Sequence, residues 1–380
     1  MFWLRAFSFM FYMIPALIVS SFPLYFTELG FTHAEIGFLF SIGPLTGIAA
    51  GSIWGFFSDR LQRVKVLLQI LMIGQLICMI GMFQTNSIHF ITIWLIGFYF
   101  FQSAMIPLSD TMTLFLLGRN RSSYGSIRIM GSFGFALAAV VVGIWVQVFG
   151  LNVLQWISYG IIGLSLLCLF PLPEQHDHVQ RPSWELVGET VSNRKLWYFL
   201  GLVFILAVAH RSNDAFLALY VTELGGSSSW IGWSWAAAAV SEVPFLLWTS
   251  RASNRVGPLA ILTICAIMYA IRFVLMSHAT TADEIFWIQW MHSVTFGLFL
   301  VTAIQAMMRW IPDSLRASGQ ALLLTVWINI SGVFTGNVGG WLEHLIGFHG
   351  IYAIASLFSL ISAIGFGWMH WTGRIRGVKR

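Results

Sequence analysis

Charged residues are scarce in this chain. Asp, Glu, Lys and Arg together form 9% of its 380 residues, whereas about 25% is usual for a water-soluble globular protein. Hydrophobic residues form 58%, and the mean hydropathy is +0.79. This composition excludes a soluble fold and predicts an integral membrane protein.

Cysteine is also rare, with three residues in the chain. Cys78, Cys168 and Cys265 all fall inside apolar runs and have no paired spacing, which argues against a disulfide framework or a metal cluster. His176 and His178 could bind a metal, but two histidines in a polar loop are more often only solvated. We therefore predict no metal site and no cofactor.

Apolar runs of about twenty residues, the length that crosses a bilayer as an α-helix, recur along the chain. The first follows Arg5 and lacks a small-residue cleavage site, so we expect it to remain as a helix rather than be removed as a signal peptide. The predicted fold class is an all-α membrane protein with twelve transmembrane helices, at 4–27, 34–57, 66–85, 88–117, 124–149, 151–172, 196–222, 229–250, 257–277, 284–309, 317–341 and 345–371.

The chain contains an internal repeat. The stretch LYFTELG at 24–30 returns as LYVTELG at 219–225, and a repeat of nearly half the chain length is far too long for a solenoid. We predict an N-terminal six-helix bundle at 1–172, a linker at 173–195, a C-terminal six-helix bundle at 196–371 and a basic tail at 372–380.

The lysines and arginines are grouped on one side of this arrangement. All but three of the twenty lie in segments that the helix order places together with both termini. Because Lys and Arg resist translocation in short loops, we predict that both termini are cytoplasmic, in a bacterial cell membrane that the chain crosses several times. A nucleic-acid partner would need a basic face turned to solvent, so that partner class is excluded.

A short polar motif joins the second and third predicted helices. It consists of Gly55, Asp59, Arg60, Arg63 and Lys65, and it resembles the signature loop of the major facilitator superfamily. This resemblance implies the major facilitator fold, with two parallel pseudo-repeated six-helix bundles. It also implies a gating role for the five residues and a functional monomer.

Several ionisable residues lie inside the predicted helices. Each charge near the bilayer centre costs on the order of 3 kcal/mol, and such residues usually face a partner or a water-filled cavity. An alternative for Arg128, Arg211 and Asp214 is that they lie near helix ends and extend to the interface. The three bases and three acids are Arg128, Arg211, Arg272, Asp110, Asp214 and Glu242, and their titratable neighbours are His210 and His292.

The pattern around these charges resembles proton symporters of the lactose-permease type. Arg128 in an R-x-x-G-S-x-G-F run follows Asp110 by eighteen residues, and His292 follows Arg272 by twenty. The chain departs from that pattern at Thr295, where the symporters carry a glutamate, and it has no lysine in helix 11. Transfer of their whole proton path is therefore unsafe.

Other motifs are similar to the phenylpropionate permease family, and this is the best placement. They are the runs at 107–110, 124–128 and 289–297, together with Val240, Glu242 and His210. The two resemblances imply one set of substrate-binding residues, namely Asp110, Arg128, Arg272, His292 and Gln289. They imply a second set of proton-coupling residues, namely Glu242, His292, Asp214 and His210.

Glu242 is the candidate proton carrier. Its neighbours Val243, Pro244 and Phe245 are apolar, and an apolar surrounding favours the protonated carboxyl unless a cation approaches. Arg272 or His292 could be that cation. The alternative is a permanent structural pair between Glu242 and Arg272.

The sequence thus predicts a secondary active transporter, not an enzyme, that moves a small organic solute by alternating access with a proton. An aromatic acid or a similar metabolite is favoured as cargo, and a sugar or nucleoside symporter is the alternative. A membrane-embedded enzyme is disfavoured because no Ser-His-Asp set, H-E-x-x-H motif or phosphate-binding glycine loop is present. A transport-dead sensor is disfavoured because it would gain by losing the buried charges. The expected partners are the small-molecule substrate, protons and the lipid bilayer.

Overall fold

The computed structural model describes residues 1–61, 63–117, 124–174, 193–312 and 315–377 of the chain. The described residues form helices joined by short turns. In the first half, α1 spans Phe2–Glu28 with one irregular residue at Tyr12, and five further helices follow. These are α2 (His33–Leu61), α3 (Val64–Phe83), α4 (Ile88–Leu117), α5 (Tyr124–Phe149) and α6 (Val153–Leu169).

The second half repeats this order. It contains α7 (Arg194–Glu223), α8 (Ser228–Val256), α9 (Pro258–His278) and α10 (Ala282–Met307). The last helical stretch starts at Arg316 and changes direction at Gly347, whose φ of 67° is non-helical. We call its two arms α11 (316–346) and α12 (348–377).

Nine helices of the described chain are long and apolar enough to cross a membrane. The twelve predicted crossings differ from this number for three reasons. The span Ser318–Thr372 contains both α11 and α12, and α6 with 17 residues is short. Helix α8 has 29 residues but carries polar and charged groups that lower its hydropathy. The count of twelve crossings stays a prediction.

Helix ends differ from the predicted ones near the terminal end of the bundle, by which we mean the end that holds both chain termini. The predicted signature loop is almost entirely helical, because Gly55, Asp59 and Arg60 belong to α2 and Lys65 belongs to α3. Helix α8 runs on to Val256 through its two arginines, and α12 runs to Gly377, past the predicted start of the tail. Most of the predicted linker lies outside the described residues.

The repeated sequence motif forms the same turn in both halves. Gly30 and Gly225 follow the last residues of α1 and α7 with φ of 85° and 77°, a conformation that is cheap only for glycine. The next amide donates back into the helix in each case, from Phe31 to the carbonyl of Phe26 and from Gly226 to that of Val221. Both turns are glycine C-caps of the Schellman type.

The two halves meet tightly at the far end, opposite the termini. A Cβ on Gly37 of α2 would lie 2.5 Å from the carbonyl oxygen of Gly336 in α11, and one on Gly232 of α8 would lie 2.2 Å from that of Ala139 in α5. His33 and Glu343 also join the halves there, with Nδ1 and Oε2 2.8 Å apart. Small residues therefore let α2 contact α11, and α5 contact α8, at backbone distance.

Towards the terminal end the same helices are separated. A Cβ on Gly51 or Gly55 of α2, or on Gly125 of α5, would meet no atom within 4 Å. Arg128, one turn into α5, is exposed. Among the residues that the structure describes, the bundle is thus closed at the far end and open towards the terminal end.

Candidate functional site

The site is built around a change of helix type in α10. The segment Ala282–Gln289 is α-helical, whereas Ser293–Gly297 forms a π-helical turn. A π turn has one more residue than an α turn and occurs often at functional sites. Here it turns Gln289, His292 and Thr295 together towards α9, where they surround Arg272.

His292 links an acid to a base. Its Nε2 lies 2.9 Å from Oε1 of Glu242 in α8, and its Nδ1 lies 3.0 Å from Nη1 of Arg272 in α9. The side chain of Glu242 is 17% exposed, whereas Arg272 is fully buried. His292, one of the two candidate partners of Glu242, thus lies between Glu242 and Arg272, where the alternative had these two residues in direct contact.

These contacts define the proton positions on His292. A guanidinium can only donate hydrogen bonds, so Nδ1 of His292 accepts from Arg272. The ring proton of the neutral imidazole is then on Nε2, from which it is donated to Glu242. A second proton on the ring would remove the acceptor for Arg272. The arrangement therefore requires a neutral His292 and an accepting Glu242.

Arg272 has further partners on α10 and, through them, on α7. Its Nη1 donates to the hydroxyl of Thr295 over 3.1 Å, and its Nη2 donates to Oε1 of Gln289. The amide of Gln289 in turn lies 3.5 Å from Oδ1 of Asn213. Gln289, Thr295 and Asn213 are fully buried, so Arg272 is held by the neutral acceptors Gln289 and Thr295. The carboxylates of Asp214 and Glu242 both interact electrostatically with its charge.

A second charged group lies on α7. Arg211 and Asp214 form an ion pair of 2.7 Å at i,i+3 spacing, and Nε of Arg211 donates to the backbone carbonyl of Trp327. Trp327 belongs to a second π-helical turn, Thr325–Ile330, in α11. His210 joins this group, with Nδ1 3.1 Å from the hydroxyl of Tyr269 and Nε2 3.8 Å from Oδ2 of Asp214.

Aromatic rings pack around the two groups. The ring of His210 stacks on Phe296 with centroids 4.9 Å apart and planes inclined by 5°. The ring centroid of His210 lies 5.1 Å from that of Trp327 and 5.6 Å from that of His292. The two charged groups are therefore neighbours in one apolar, aromatic setting, where ionic interactions are weakly screened.

The first half contributes Arg128. Its guanidinium carbon lies 4.3 Å above the ring centre of Tyr12 in α1, which is a cation–π contact. Gly131 and Gly134 allow this approach, because a Cβ on either would lie within 2.4 Å of Tyr12 or Phe9. Arg128 interacts electrostatically with Glu242 of the other half, so the cavity has a base on one wall and an acid on the other.

The predicted residues therefore fall into three places. Glu242, His292, Arg272 and Gln289 form one connected chain, and His210 with Asp214 forms the neighbouring group. Arg128 faces them from α5. Asp110 lies half-buried in the second part of α4, after the irregular residues 103 and 104, and its predicted role stays a prediction.

The signature residues lie away from this cluster. Lys65 donates from Nζ to the carbonyls of Phe170 and Leu172 over 2.7 and 2.6 Å. It therefore caps the end of α6, where cations are favourable. Arg60 and Arg63 are exposed, and the side chain of Asp59 lies outside the described residues.

Sequence reasoning missed four contributors, namely Tyr12, Asn213, Tyr269 and Trp327. Each is an ordinary helix residue in the sequence, and all four act through a partner on another helix. Thr295 was noticed only as a departure from a family pattern, although its hydroxyl accepts from Arg272. The i,i+3 spacing of Arg211 and Asp214 was a signal for their pairing.

Comparisons with known proteins agree with this geometry. The sequence model of the MFS_1-like family matches residues 1–368. Maltose permease of Geobacillus stearothermophilus is 26% identical over 89% of this chain and 86% of its own length. A probable 3-phenylpropionic acid transporter of Escherichia coli K12 is 24% identical over 94% and 95%. A mutant of the nucleoside transporter NupG has the same fold, with a TM-score of 0.87 at 17% identity over 97% of this chain and 99% of that one.

Proposed function

The chain belongs to the MFS_1-like family of major facilitator transporters, and from that premise we propose that it moves a small organic acid across the membrane in symport with a proton. The observation that carries the proposal is the chain Glu242–His292–Arg272, which starts at the cavity and ends at a fully buried guanidinium.

Glu242 is the group that takes the proton. It is the only member of the chain of three with an acceptor turned to the cavity side, because His292 already donates to it and Arg272 cannot accept. A proton on the second carboxyl oxygen removes one of the two negative charges that interact with Arg272, the other being that of Asp214. The free energy of the buried Arg272 charge then depends on whether Glu242 is protonated.

Cargo binding depends on the same charge. Arg128 faces the cavity, and its planar guanidinium matches a carboxylate through two parallel hydrogen bonds. Because Glu242 interacts electrostatically with Arg128, an anionic cargo would be repelled by an ionised Glu242 and accepted beside a protonated one. Proton and acid would therefore bind together, which is the requirement for symport.

Arg272 and Gln289 have a supporting role in this proposal. Both are fully buried, so in this proposal Gln289 holds Arg272, Arg272 holds His292, and neither touches the cargo. Asp110 and the pair Arg211–Asp214 remain candidates for contact with polar parts of the cargo. His210 would orient Asp214, since it lies between that carboxyl and the hydroxyl of Tyr269.

A second candidate is a sugar or nucleoside symporter. It is favoured by two of the similar proteins, a maltose permease and the nucleoside transporter NupG. A neutral cargo of this kind would not repel an ionised Glu242, so proton binding would have to be coupled through the helices alone.

Uptake into vesicles distinguishes the two. We expect the purified protein to accumulate an aromatic carboxylic acid under an inwardly directed proton gradient, and to accumulate neither maltose nor uridine. Glu242→Gln should abolish the response to the gradient, and Arg128→Lys should weaken acid binding. Accumulation of a sugar or nucleoside would overturn the acid assignment, and gradient-independent uptake in the parent would overturn proton symport.

The remaining predictions become part of the proposal. Each half of one chain supplies a wall of the cavity, which supports a functional monomer. The grouping of the basic residues supports cytoplasmic termini in a bacterial cell membrane. Labelling of an added cysteine at residue 2 and of one at residue 31 from opposite sides of the membrane tests this orientation.

A further inference from the structure

A cluster of aromatic and basic residues lies at the terminal end of α7 and α12, away from the cavity. Phe199 and Phe366 join the two helices with ring centres 5.8 Å apart, and the hydroxyl of Ser362 donates to the carbonyl of Leu202. The cluster begins immediately beyond this contact and plays no part in the proposed transport steps.

Four of its members are large exposed aromatic side chains. Trp197 and Tyr198 are each 49% exposed at the start of α7, and Trp368 and Trp371 are 59% and 58% exposed near the end of α12. The rings of Trp368 and Trp371 lie 5.8 Å apart. Tryptophan and tyrosine are enriched at the membrane–water interface of membrane proteins, because their amphipathic rings suit the headgroup region.

The basic members continue from the aromatic ones. Arg194 and Lys195 are exposed in the first turn of α7, and no acid occurs at 193–198 or 366–372. Among the described residues of these two segments, the charge is therefore of one sign, immediately beside a belt of aromatic rings.

We propose that this surface binds anionic phospholipids. The aromatic rings would lie at the boundary between the headgroups and the acyl chains, while Arg194 and Lys195 pair with the lipid phosphate. Basic groups beside a membrane attract anionic lipid. A soluble anion would gain nothing from the four exposed rings, so the pairing of rings with bases indicates a lipid and not free phosphate.

The test uses the full-length protein in detergent, titrated with phosphatidylglycerol or phosphatidylcholine, with bound lipid counted by native mass spectrometry. We expect phosphatidylglycerol to be preferred, and the double variant Arg194→Gln/Lys195→Gln to weaken its binding about tenfold. Trp368→Leu/Trp371→Leu keeps every charge and should also weaken binding. The matched control Arg5→Gln/Arg309→Gln removes two exposed bases elsewhere at the same end and should leave the preference in place.

Three outcomes would overturn the proposal. One is equal binding of the two lipids by the parent protein. Another is an equal loss of phosphatidylglycerol binding in the control variant, which would show that binding depends only on the net charge of the terminal end. The third is displacement of the lipid by inorganic phosphate at equal concentration, which would indicate a soluble anion. Retained acid uptake in both double variants would show that they are folded.

Discussion

Nε2 of His292 lies 2.9 Å from the carboxylate of Glu242 while Nδ1 of the same ring accepts from the fully buried Arg272. One imidazole thus joins the acid that faces the cavity to the base behind it. The ring can do this only in its neutral form with the proton on Nε2. Glu242 and His292 therefore have different roles, although both are ionisable.

The first prediction concerns His292. Glutamine at this position can accept from Arg272 through its carbonyl and donate to Glu242 through its amide, but it cannot titrate. If His292 acts as a bridge, His292→Gln should retain most of the proton-driven uptake, whereas His292→Leu should lose it. Initial uptake rates at matched protein levels provide the measurement. Loss of gradient response in His292→Gln would show that the ring itself carries the proton.

The second prediction concerns Glu242. Glu242→Gln keeps a hydrogen-bond acceptor for His292 and resembles the protonated carboxyl. Exchange of labelled cargo across vesicles at equilibrium should continue, because exchange requires no net proton movement. Accumulation against a gradient should fall to the passive ratio of one. A variant that still accumulates cargo would remove Glu242 as the carrier.

The third prediction concerns the hydroxyl of Thr295. Thr295→Val has nearly the same shape but leaves Nη1 of Arg272 without this acceptor. Removing a partner from a buried charged group costs about 1–3 kcal/mol, so the thermal midpoint should fall. Thr295→Ser keeps the hydroxyl and serves as the control. Equal midpoints for the valine and serine variants would mean that the hydroxyl does not support Arg272.

The fourth prediction concerns the contact of α5 with α1. A Cβ on Gly134 would lie 2.0 Å from the carbonyl oxygen of Phe9, and overpacking of this kind costs about 1–3 kcal/mol. Gly134→Ala should therefore lower the thermal midpoint and weaken cargo binding by displacing Tyr12 from beneath Arg128. Gly125→Ala on the same helix meets no atom within 4 Å and should leave both unchanged.

The fifth prediction concerns Lys65. Its two hydrogen bonds to the carbonyls at the end of α6 should contribute about 1 kcal/mol, because the ammonium is partly exposed. Lys65→Met should lower the thermal midpoint, while Arg63→Gln, which removes an exposed charge from the same turn, should not. Transport assays then show whether Lys65 also affects gating. An unchanged midpoint would exclude the capping role.

Much of the fold could be predicted because bilayer thickness limits which structures can span a membrane. Apolar runs of the required length predicted the helices, and the repeated LYxTELG motif indicated two halves. The helix ends predicted at 57, 250 and 371 were too early, because these helices run on to Leu61, Val256 and Gly377. They extend beyond the apolar core through residues that favour water. Hydropathy marks where lipid ends and not where a helix ends.

The sequence pointed to ionisable residues of the candidate site but not to their connections. Buried charge is costly, so Glu242, Arg272 and His292 stood out from their apolar neighbours. Their order in the chain of contacts depends on the π-helical turn at Ser293–Gly297, and no local sequence signal indicated it. The contact of Arg128 with Tyr12 depends on helix approach across more than a hundred residues of sequence, which periodicity does not report.

The matching glycine turns after α1 and α7 show that both halves end their first helix in the same way, yet within the described residues the connected side chains Glu242, His292 and Arg272 all belong to the second half. Under the proposed symport, the C-terminal bundle would sense the proton, and the N-terminal bundle would be the passive partner against which it closes. The repeat would then supply the symmetry that alternating access needs, while the coupling chemistry would lie in one copy.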